Sequence, residues 1–246
     1  MEWLTLAVIL AVILLIAYWQ LIIAEGAYLG SGVVTLLYDI TAPRYNRIKN
    51  FNPDDDAHFL GRPLTEALAS IHQPLVLDVA TGTGRLPISL LANEAFDGTI
   101  VAVDLSWRML REAASVLRGQ MARSALMQQD ASRLAFAGDT FDAVACLEAL
   151  EFTPDPHGVL AECVRVLKPG GVLMVTRRAG PWARWMPGRT PSPQRFKAQI
   201  ESLGVWDVQV QIWQVDYDLV WGVKIAQWEP IEDGEMPSDE MPERDE

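Results

Sequence analysis

The sequence predicts an α/β protein: a doubly wound, mostly parallel sheet of seven strands, preceded by one membrane-spanning helix. Three observations lead there. From Leu75 onward, short β-rich apolar runs alternate with amphipathic stretches, the pattern of βαβ units in a sheet covered on both faces. One of those runs, Val76 to Val79, enters a tight turn holding Gly82 and Gly84. Ahead of all this lies a long uncharged apolar run.

That run comes first in the chain. No charge occurs between Glu2 and Glu25, and from Trp3 to Ile23 only Thr5 and Gln20 are clearly polar. A helix of that length reaches roughly 30 Å, the thickness of a bilayer's hydrocarbon core. Trp3 stands at one end and Tyr18 and Trp19 near the other, where interfacial aromatics sit. A core helix of a small α/β domain is amphipathic, whereas this one is apolar all round. A cleaved signal peptide would want a basic leading region and a shorter run; the only charge ahead of this one is Glu2. A retained single-pass anchor over residues 1–27 is therefore expected. Arg44, Arg47 and Lys49 follow it and no Lys or Arg precedes it, which places the following domain in the cytoplasm.

Ala24 to Gly32 is small and Gly-rich and reads as a hinge leaving the bilayer. Residues 28–73 form a helical cap of short helices. The main domain is expected over 74–228. Its strands are Leu75–Val79, Thr99–Val103, Ala125–Gln128, Ala143–Leu147 and Gly171–Thr176, and its helices Leu86–Glu94, Trp107–Arg118 and Gly158–Leu167. Lys168-Pro169-Gly170-Gly171 is a helix stop and strand entry. Four prolines make residues 180–193 an irregular loop. A helix at Pro193–Leu203 follows, then two apolar runs, Val208–Trp213 and Leu219–Ile225, an antiparallel pair closing the sheet.

The chain's formal charge is −12. Residues 229–246 hold nine acids and one base, Arg244, and so supply −8 of it. Such a segment cannot bury enough apolar surface to fold alone and reads as a disordered acidic tail. No basic stripe marks a nucleic-acid surface, and the tail would repel phosphates. Cys146 and Cys163 lie in apolar or helical runs, with no CxxC and no His at ligand spacing. They read as free buried thiols, with neither a metal site nor a disulfide scaffold expected.

The chemistry concentrates in Val76-Leu77-Asp78-Val79-Ala80-Thr81-Gly82-Thr83-Gly84. Glycines remove side chains where a ligand must approach the backbone, and the next helix N-terminus offers free N–H groups. Asp78 sits at the end of the strand, where open α/β sheets bind ligands. Asp104 ends the next strand, 20 residues after Gly84, placed to accept from both hydroxyls of an adenosine ribose. Together these point to an adenosine-containing ligand. A dinucleotide fingerprint would need a third glycine where Pro87 stands, which counts against an NAD-dependent oxidoreductase. An acid ahead of the glycines suits a cationic sulfonium better than a diphosphate.

Asp78-Val79-Ala80-Thr81-Gly82-Thr83-Gly84 resembles the first motif of class I S-adenosylmethionine-dependent methyltransferases, which have a Rossmann-like fold. Asp104-Leu105-Ser106 with Met109-Leu110 resembles their ribose-binding acid and the helix after it. Gln129-Asp130-Ala131 resembles the acid that contacts the adenine amino group. Phe141 to Val144 resembles the fourth strand, and Leu167 to Leu173 the turn into the fifth. Within that family the ubiquinone/menaquinone-biosynthesis methyltransferases are most similar: Tyr38-Asp39-Ile40-Thr41-Ala42-Pro43-Arg44-Tyr45 resembles the segment covering their cofactor. Residues 181–193 depart from that pattern.

The resemblance implies S-adenosyl-L-methionine as cofactor. The backbone of Ala80, Thr81, Gly82, Thr83 and Gly84, with Asp78, would hold its methionine part; Asp104 would hold the ribose; Leu105 or Met109 would flank the adenine. Asp130 and the Ala131 N–H would meet its amino group, and Glu148 would face the cofactor. Tyr38 and Tyr45 belong to the cap over the substrate. Glu151 or His157, after the fourth strand, is expected at the mouth as a base. The anchor and this chemistry imply a small lipophilic acceptor: a quinone precursor, an isoprenoid or a lipid. A non-catalytic membrane adaptor keeping the fold is the remaining alternative. Trp182 and Trp185, in the Pro-rich loop with Arg184, are expected to touch the membrane or lid the substrate.

Overall fold

The first strand sets the architecture. β1 (Leu75–Val79) pairs in parallel with β2 (Thr99–Asp104) on one side and β4 (Phe141–Cys146) on the other. The structure, a computed structural model, describes residues 2–49 and 51–226. β3 (Ser124–Gln128) extends the sheet beyond β2, and β5 (Leu167–Arg178) lies beyond β4. β7 (Tyr217–Lys224) and β6 (Val205–Ile212) close that edge antiparallel, giving the order β3-β2-β1-β4-β5-β7-β6. The seven-stranded, doubly wound, mostly parallel α/β fold expected from the sequence is thus present.

Alternation of side chains fills two layers. Leu77 and Val79 of β1 join Val144, Cys146 and Val175 on one face, against Val159, Leu160 and Cys163 of α8 (Pro156–Val166) and Phe196 and Ile200 of α10 (Pro193–Glu201). Val76 joins Ile100, Ala143, Ala145 and Met174 on the other face. There they meet Leu86 and Leu90 of α6 (Arg85–Leu91), Leu117 just beyond α7 (Trp107–Val116), and Leu64 of α5 (Arg62–Ala67). The central strands β1 and β4 are enclosed on both faces, so they read as nearly continuous apolar runs.

The Lys168-Pro169-Gly170-Gly171 stretch is not a break ahead of β5. It lies inside that strand as an irregularity: Leu167 pairs with Phe141, the register shifts, and Val172 resumes opposite Ala143. Gly170 takes φ +77°, a conformation glycine adopts without penalty.

The apolar N-terminal run is helical throughout: α1 (Glu2–Tyr18) continues as a π-turn over Trp19–Ile23, with no buried residue in either piece. The expected hinge after it is instead docked. Ala24 and Ala27 are buried, and Ala27 packs with Phe152 and Met186. Small side chains let this backbone approach the protein closely; they do not free it. The Trp19 indole donates to the Trp185 carbonyl at 2.9 Å and stacks on Tyr28, whose hydroxyl donates to the Pro187 carbonyl at 2.8 Å. Arg189 donates to the Ala27 carbonyl at 2.9 Å. Residues 180–193 are therefore anchored as well, through a short α9 (Gly180–Ala183) and the fully buried Met186. The cap consists of α2 (Ser31–Thr41), α3 (Tyr45–Lys49), α4 (Pro53–Asp56) and α5. The acidic stretch 229–246 and Trp228 lie outside the described residues.

Candidate active site

The carboxyl ends of β1, β2 and β4 stand side by side, with Val79 opposite Val103 and Cys146. The helical connections leave the sheet in opposite directions there, which opens a crevice beyond the strand tips. A cleft of about 1130 Å³, its open mouth included, occupies that place. Asp78, Ala80, Thr81, Gly82, Thr83, Asp104, Leu105, Asp130, Ala131, Glu148, Tyr38 and Tyr45 all line it.

The glycine turn is held open by a carboxylate. Gly82 N–H donates to Asp104 Oδ2 at 2.8 Å, while Ser106 N–H donates to Asp104 Oδ1 at 2.8 Å. Asp104 thus ties the turn after β1 to the tip of β2. Gly82 sits at φ +55°, and a Cβ built there would meet no protein atom within 4 Å. It faces empty space in the cleft. Ala80 also takes a positive φ, +57°, and Glu148 takes +51°. Strained left-handed residues concentrate where structure is given up for function.

Gly84 works differently from the expectation. It does not line the cleft: at φ +87°, its missing Cβ would lie 3.3 Å from the Ala113 Cβ of α7. Its part is to let α6 and α7 approach. Met109 likewise turns inward. Only 1% exposed, its side chain belongs to the core, and its N–H donates to the capping Ser106 hydroxyl at 3.1 Å. Leu105 is left as the apolar neighbour on that wall.

Burial dominates the electrostatics. It pushes the Asp78 carboxyl up to about 7; the nearby Thr81 hydroxyl opposes this and the Asp104 charge adds to it. It pushes Asp104 up to about 6 against the two N–H groups that donate to it. Carboxyls with pKa values raised by burial at the strand tips, lining a cleft, mark a candidate functional site. The Thr81 hydroxyl, buried in the cleft wall, has no hydrogen-bond partner of normal geometry. Asp130 is exposed at the rim and accepts from Ser132 N–H at 2.9 Å.

Glu148 lines the cleft, but its carboxylate is already engaged. Arg85 donates to its Oε1 at 2.6 Å and Lys49 stands 3.7 Å from Oε2. Arg85 is the residue that sequence reading missed. It also donates to Asp56 at 2.5 and 2.8 Å, and lies over the Phe51 ring at 4.2 Å and the Trp213 ring at 4.5 Å. It joins cap, sheet edge and glycine turn at one point. Two further bonds hold the cap down: Thr83 Oγ1 to Asn46 at 2.5 Å, and Ser106 Oγ to Asp39 at 2.5 Å.

Neither expected base reaches the cleft. Glu151 is 2% exposed and lies in a short helical turn after β4, with Tyr217 donating to it at 2.5 Å and the Arg178 guanidinium forming an ion pair with it at 3.6 Å. Burial raises its pKa. It is a structural partner of β5 and β7, because the turn after β4 rotates it inward. His157 is exposed in the first turn of α8, away from the lining. The cleft instead has Tyr38, whose hydroxyl donates to Glu25 Oε2 at 2.9 Å. Burial, with Glu25 beside it, lifts that phenol well above its usual value. Tyr38 also heads an aromatic wall: Tyr45 lies 5.8 Å from it, Phe152 6.1 Å, and Phe51 lies 5.9 Å from Tyr45.

Residues 77–175 match the family described as methyltransferase domain. A demethylmenaquinone methyltransferase of Clavibacter sepedonicus is 31% identical over 150 residues, which are 61% of this chain and 60% of that protein. A ubiquinone/menaquinone biosynthesis C-methyltransferase of Syntrophotalea carbinolica is 35% identical over 148 residues, 59% of this chain and 61% of that protein. The chain thus spans about three-fifths of the length of these curated relatives. Among solved structures, the [4+2]-cyclase SpnF superposes with TM-score 0.63 at 19% identity, covering 80% of this chain and 97% of that one. A phosphoethanolamine N-methyltransferase of Haemonchus contortus, in complex with S-adenosylhomocysteine, superposes with TM-score 0.54 at 17% identity, covering 63% and 49%. These two show the fold alone. Residues 77–175 therefore match the methyltransferase domain family, within a stretch similar in sequence to ubiquinone and menaquinone methyltransferases.

Proposed function

We propose that the chain is a membrane-anchored, S-adenosylmethionine-dependent methyltransferase acting on a small lipophilic acceptor of the quinone-precursor type, with its catalytic domain on the cytoplasmic side. One observation carries the reading. The cleft joins an adenosine-type half, made by the glycine turn and Asp104, to an aromatic half made by the first helix after the apolar run. The relatives' names supply the acceptor class.

The residues present fit the cofactor. Gly82 leaves room where a side chain would stand, the Thr81 hydroxyl lines the cleft, and Asp104, also in its wall, has lone pairs beyond those that accept from Gly82 and Ser106. Asp104 would hold the ribose, the Ala80–Gly82 backbone and Thr81 the methionine part, and Asp130 and Ala131 the adenine edge beside Leu105. Once bound, S-adenosylmethionine supplies a methyl group already activated on a sulfonium.

Positioning then contributes most of what the protein adds. The aromatic wall of Tyr38, Tyr45 and Phe152 would orient a flat apolar acceptor and keep water out. An acceptor that must lose a proton needs a group to receive it. Tyr38 touches the cleft and Glu25 stands behind its hydroxyl, so the proton can pass to the phenol oxygen as the phenol's own proton passes to Glu25. Glu148, held by Arg85 and Lys49, keeps the cap seated. The oxidoreductase alternative loses ground to Pro87, which is buried in the first turn of α6 where a dinucleotide site needs glycine.

The test uses the full chain in native-like membranes with labelled methyl donor, sorting product into lipid, aqueous and protein fractions. Label in the lipid fraction is expected, and its loss in Asp104→Ala. Label in protein alone would refute the acceptor class. Cofactor binding with no turnover on a broad lipid extract would favour the adaptor, a real contrast because a cyclase shares the fold.

A further inference from the structure

The cap's first helices are apolar on two sides. Val34, Thr35 and Tyr38 of α2 face the cleft. Leu36 and Ile40, one turn apart on the same helix, are 57% and 64% exposed. Ile48 on α3 is 62% exposed, and Leu29, just before α2, 48%. Single exposed apolar residues are ordinary. A helix whose outward face repeats them at i and i+4, while its inward face is already used, is not the pattern of a water-facing helix.

Two further features mark what covers that face. The helix begins eight residues after Ile23, where the uncharged run ends. The connection is short and docked, through the Trp19–Trp185 and Tyr28–Pro187 bonds, so α2 cannot swing far from the end of α1. Between Ile40 and Ile48, Arg44 and Arg47 are exposed and form no ion pair among the described residues. Exposed leucine and isoleucine interleaved with unpaired guanidinium groups is the composition of a helix lying in a headgroup layer over anionic lipid.

We infer that α2 and α3 lie in the interface of the bilayer that holds α1, with Leu36, Ile40 and Ile48 at the acyl boundary and Arg44 and Arg47 on lipid phosphate. This rests on reading α1 as a membrane anchor. The same helix then has lipid on one side and the cleft on the other. An acceptor dissolved in the bilayer reaches Tyr38 along the helix's edge without crossing water.

Fluorophores on single introduced cysteines test this in the full chain, reconstituted in phosphatidylcholine–phosphatidylglycerol vesicles. The native thiols Cys146 and Cys163 are buried and slow to react. Labels go on Leu36→Cys and Ile40→Cys, on Leu10→Cys within α1, and on Glu94→Cys at the opposite end of the sheet. Lipid-borne quenchers should act on 10, 36 and 40 and spare 94. Iodide quenching at 36 and 40 should be at least about threefold weaker than at 94, as for a side chain buried in the headgroup–acyl boundary. Lipid quenching at 10 together with full iodide access at 36 and 40 overturns the inference and leaves the anchor standing. Absence of lipid quenching at 10 overturns both.

Discussion

Gly82 and Gly84 are two residues apart, and the structure assigns them opposite duties that one pair of substitutions separates. Gly84→Ala should damage the fold. A left-handed conformation costs an alanine about 1–2 kcal/mol, and at 3.3 Å from the Ala113 Cβ the new methyl forces α6 and α7 to give, adding on the order of 1 kcal/mol. A total of about 2–3 kcal/mol lowers the melting temperature of a domain this size by roughly 4–12 °C. Gly82→Ala meets no protein atom, so only the conformational part applies, about 1–2 kcal/mol and roughly 2–8 °C.

Binding should run the other way. The Gly82 methyl projects into the cleft beside the N–H that Asp104 accepts, where the donor's backbone would lie. Overpacking of about 1–3 kcal/mol there weakens donor affinity by roughly 5- to 150-fold. Folded Gly84→Ala should bind within about threefold of the parent, since its methyl is outside the cleft. Calorimetric titration with S-adenosylmethionine, beside thermal melts in the same detergent, reads both axes. A Gly82→Ala chain that binds like the parent would show that the donor does not use this turn, and the site assignment would fall with it.

Three other perturbations probe the remaining supports. Burial raises Asp78 to about 7 and Asp104 to about 6, so a donor that needs both ionised should bind progressively more weakly as pH drops from 8 to 5, approaching tenfold per unit for each group once below its pKa. Stability of the ligand-free chain should move oppositely: above about pH 4 the unfolded chain has released protons the native carboxyls still hold, so stability falls as pH climbs toward 7. A flat affinity profile over that range would exclude both acids from the donor site. Arg85→Ala strands Asp56 as a buried carboxylate and leaves Glu148 with Lys49 alone, so a stability loss of about 3–5 kcal/mol in chemical denaturation is expected, and a loss under about 1 kcal/mol would mean the cluster is solvated. Tyr38→Phe keeps the aromatic wall but removes the hydroxyl, so turnover on the lipid acceptor should drop roughly 100-fold or more with donor affinity unchanged; equal turnover would remove Tyr38 and Glu25 from proton transfer.

The parts of the fold legible in the sequence are those whose cause is local. β1 starts and ends where its run does, because four of its five residues are buried in the middle of the sheet. α10 begins at Pro193 behind the Ser192 cap, a signal contained in two residues. The acid at the tip of β2 was readable from its spacing to the glycines, since βαβ geometry fixes that distance. Arg85 was not. Its neighbours in sequence make it an ordinary helix start; what makes it central is the meeting of Asp56 and Phe51 from the cap with Trp213 from beyond β6, a fact of tertiary structure. Glu151 failed for the same reason. Its place after the fourth strand reads as the mouth, and only Tyr217 and Arg178, brought up by β7 and β5, show that its carboxylate faces inward.

The segment read as a hinge matters most for function, because its small residues have two explanations that composition alone does not separate. A flexible linker would let the domain tumble beneath the bilayer. The docked segment removes that freedom: Ala24 and Ala27 are buried, Arg189 holds the Ala27 carbonyl, and Glu25, at φ +46°, is held in a strained conformation with its carboxylate on Tyr38. A residue kept at positive φ without being glycine persists only where its surroundings dictate it. The segment that follows the apolar helix therefore backs the cleft's wall through Tyr38, and cutting the chain at residue 28 would remove Glu25 along with the apolar helix. Loss of turnover in such a fragment would not by itself show that the bilayer is needed. Restoring the bilayer question requires the full chain with the helix kept and the lipid changed, where Tyr38 keeps its partner and only the surroundings of α1 and α2 differ.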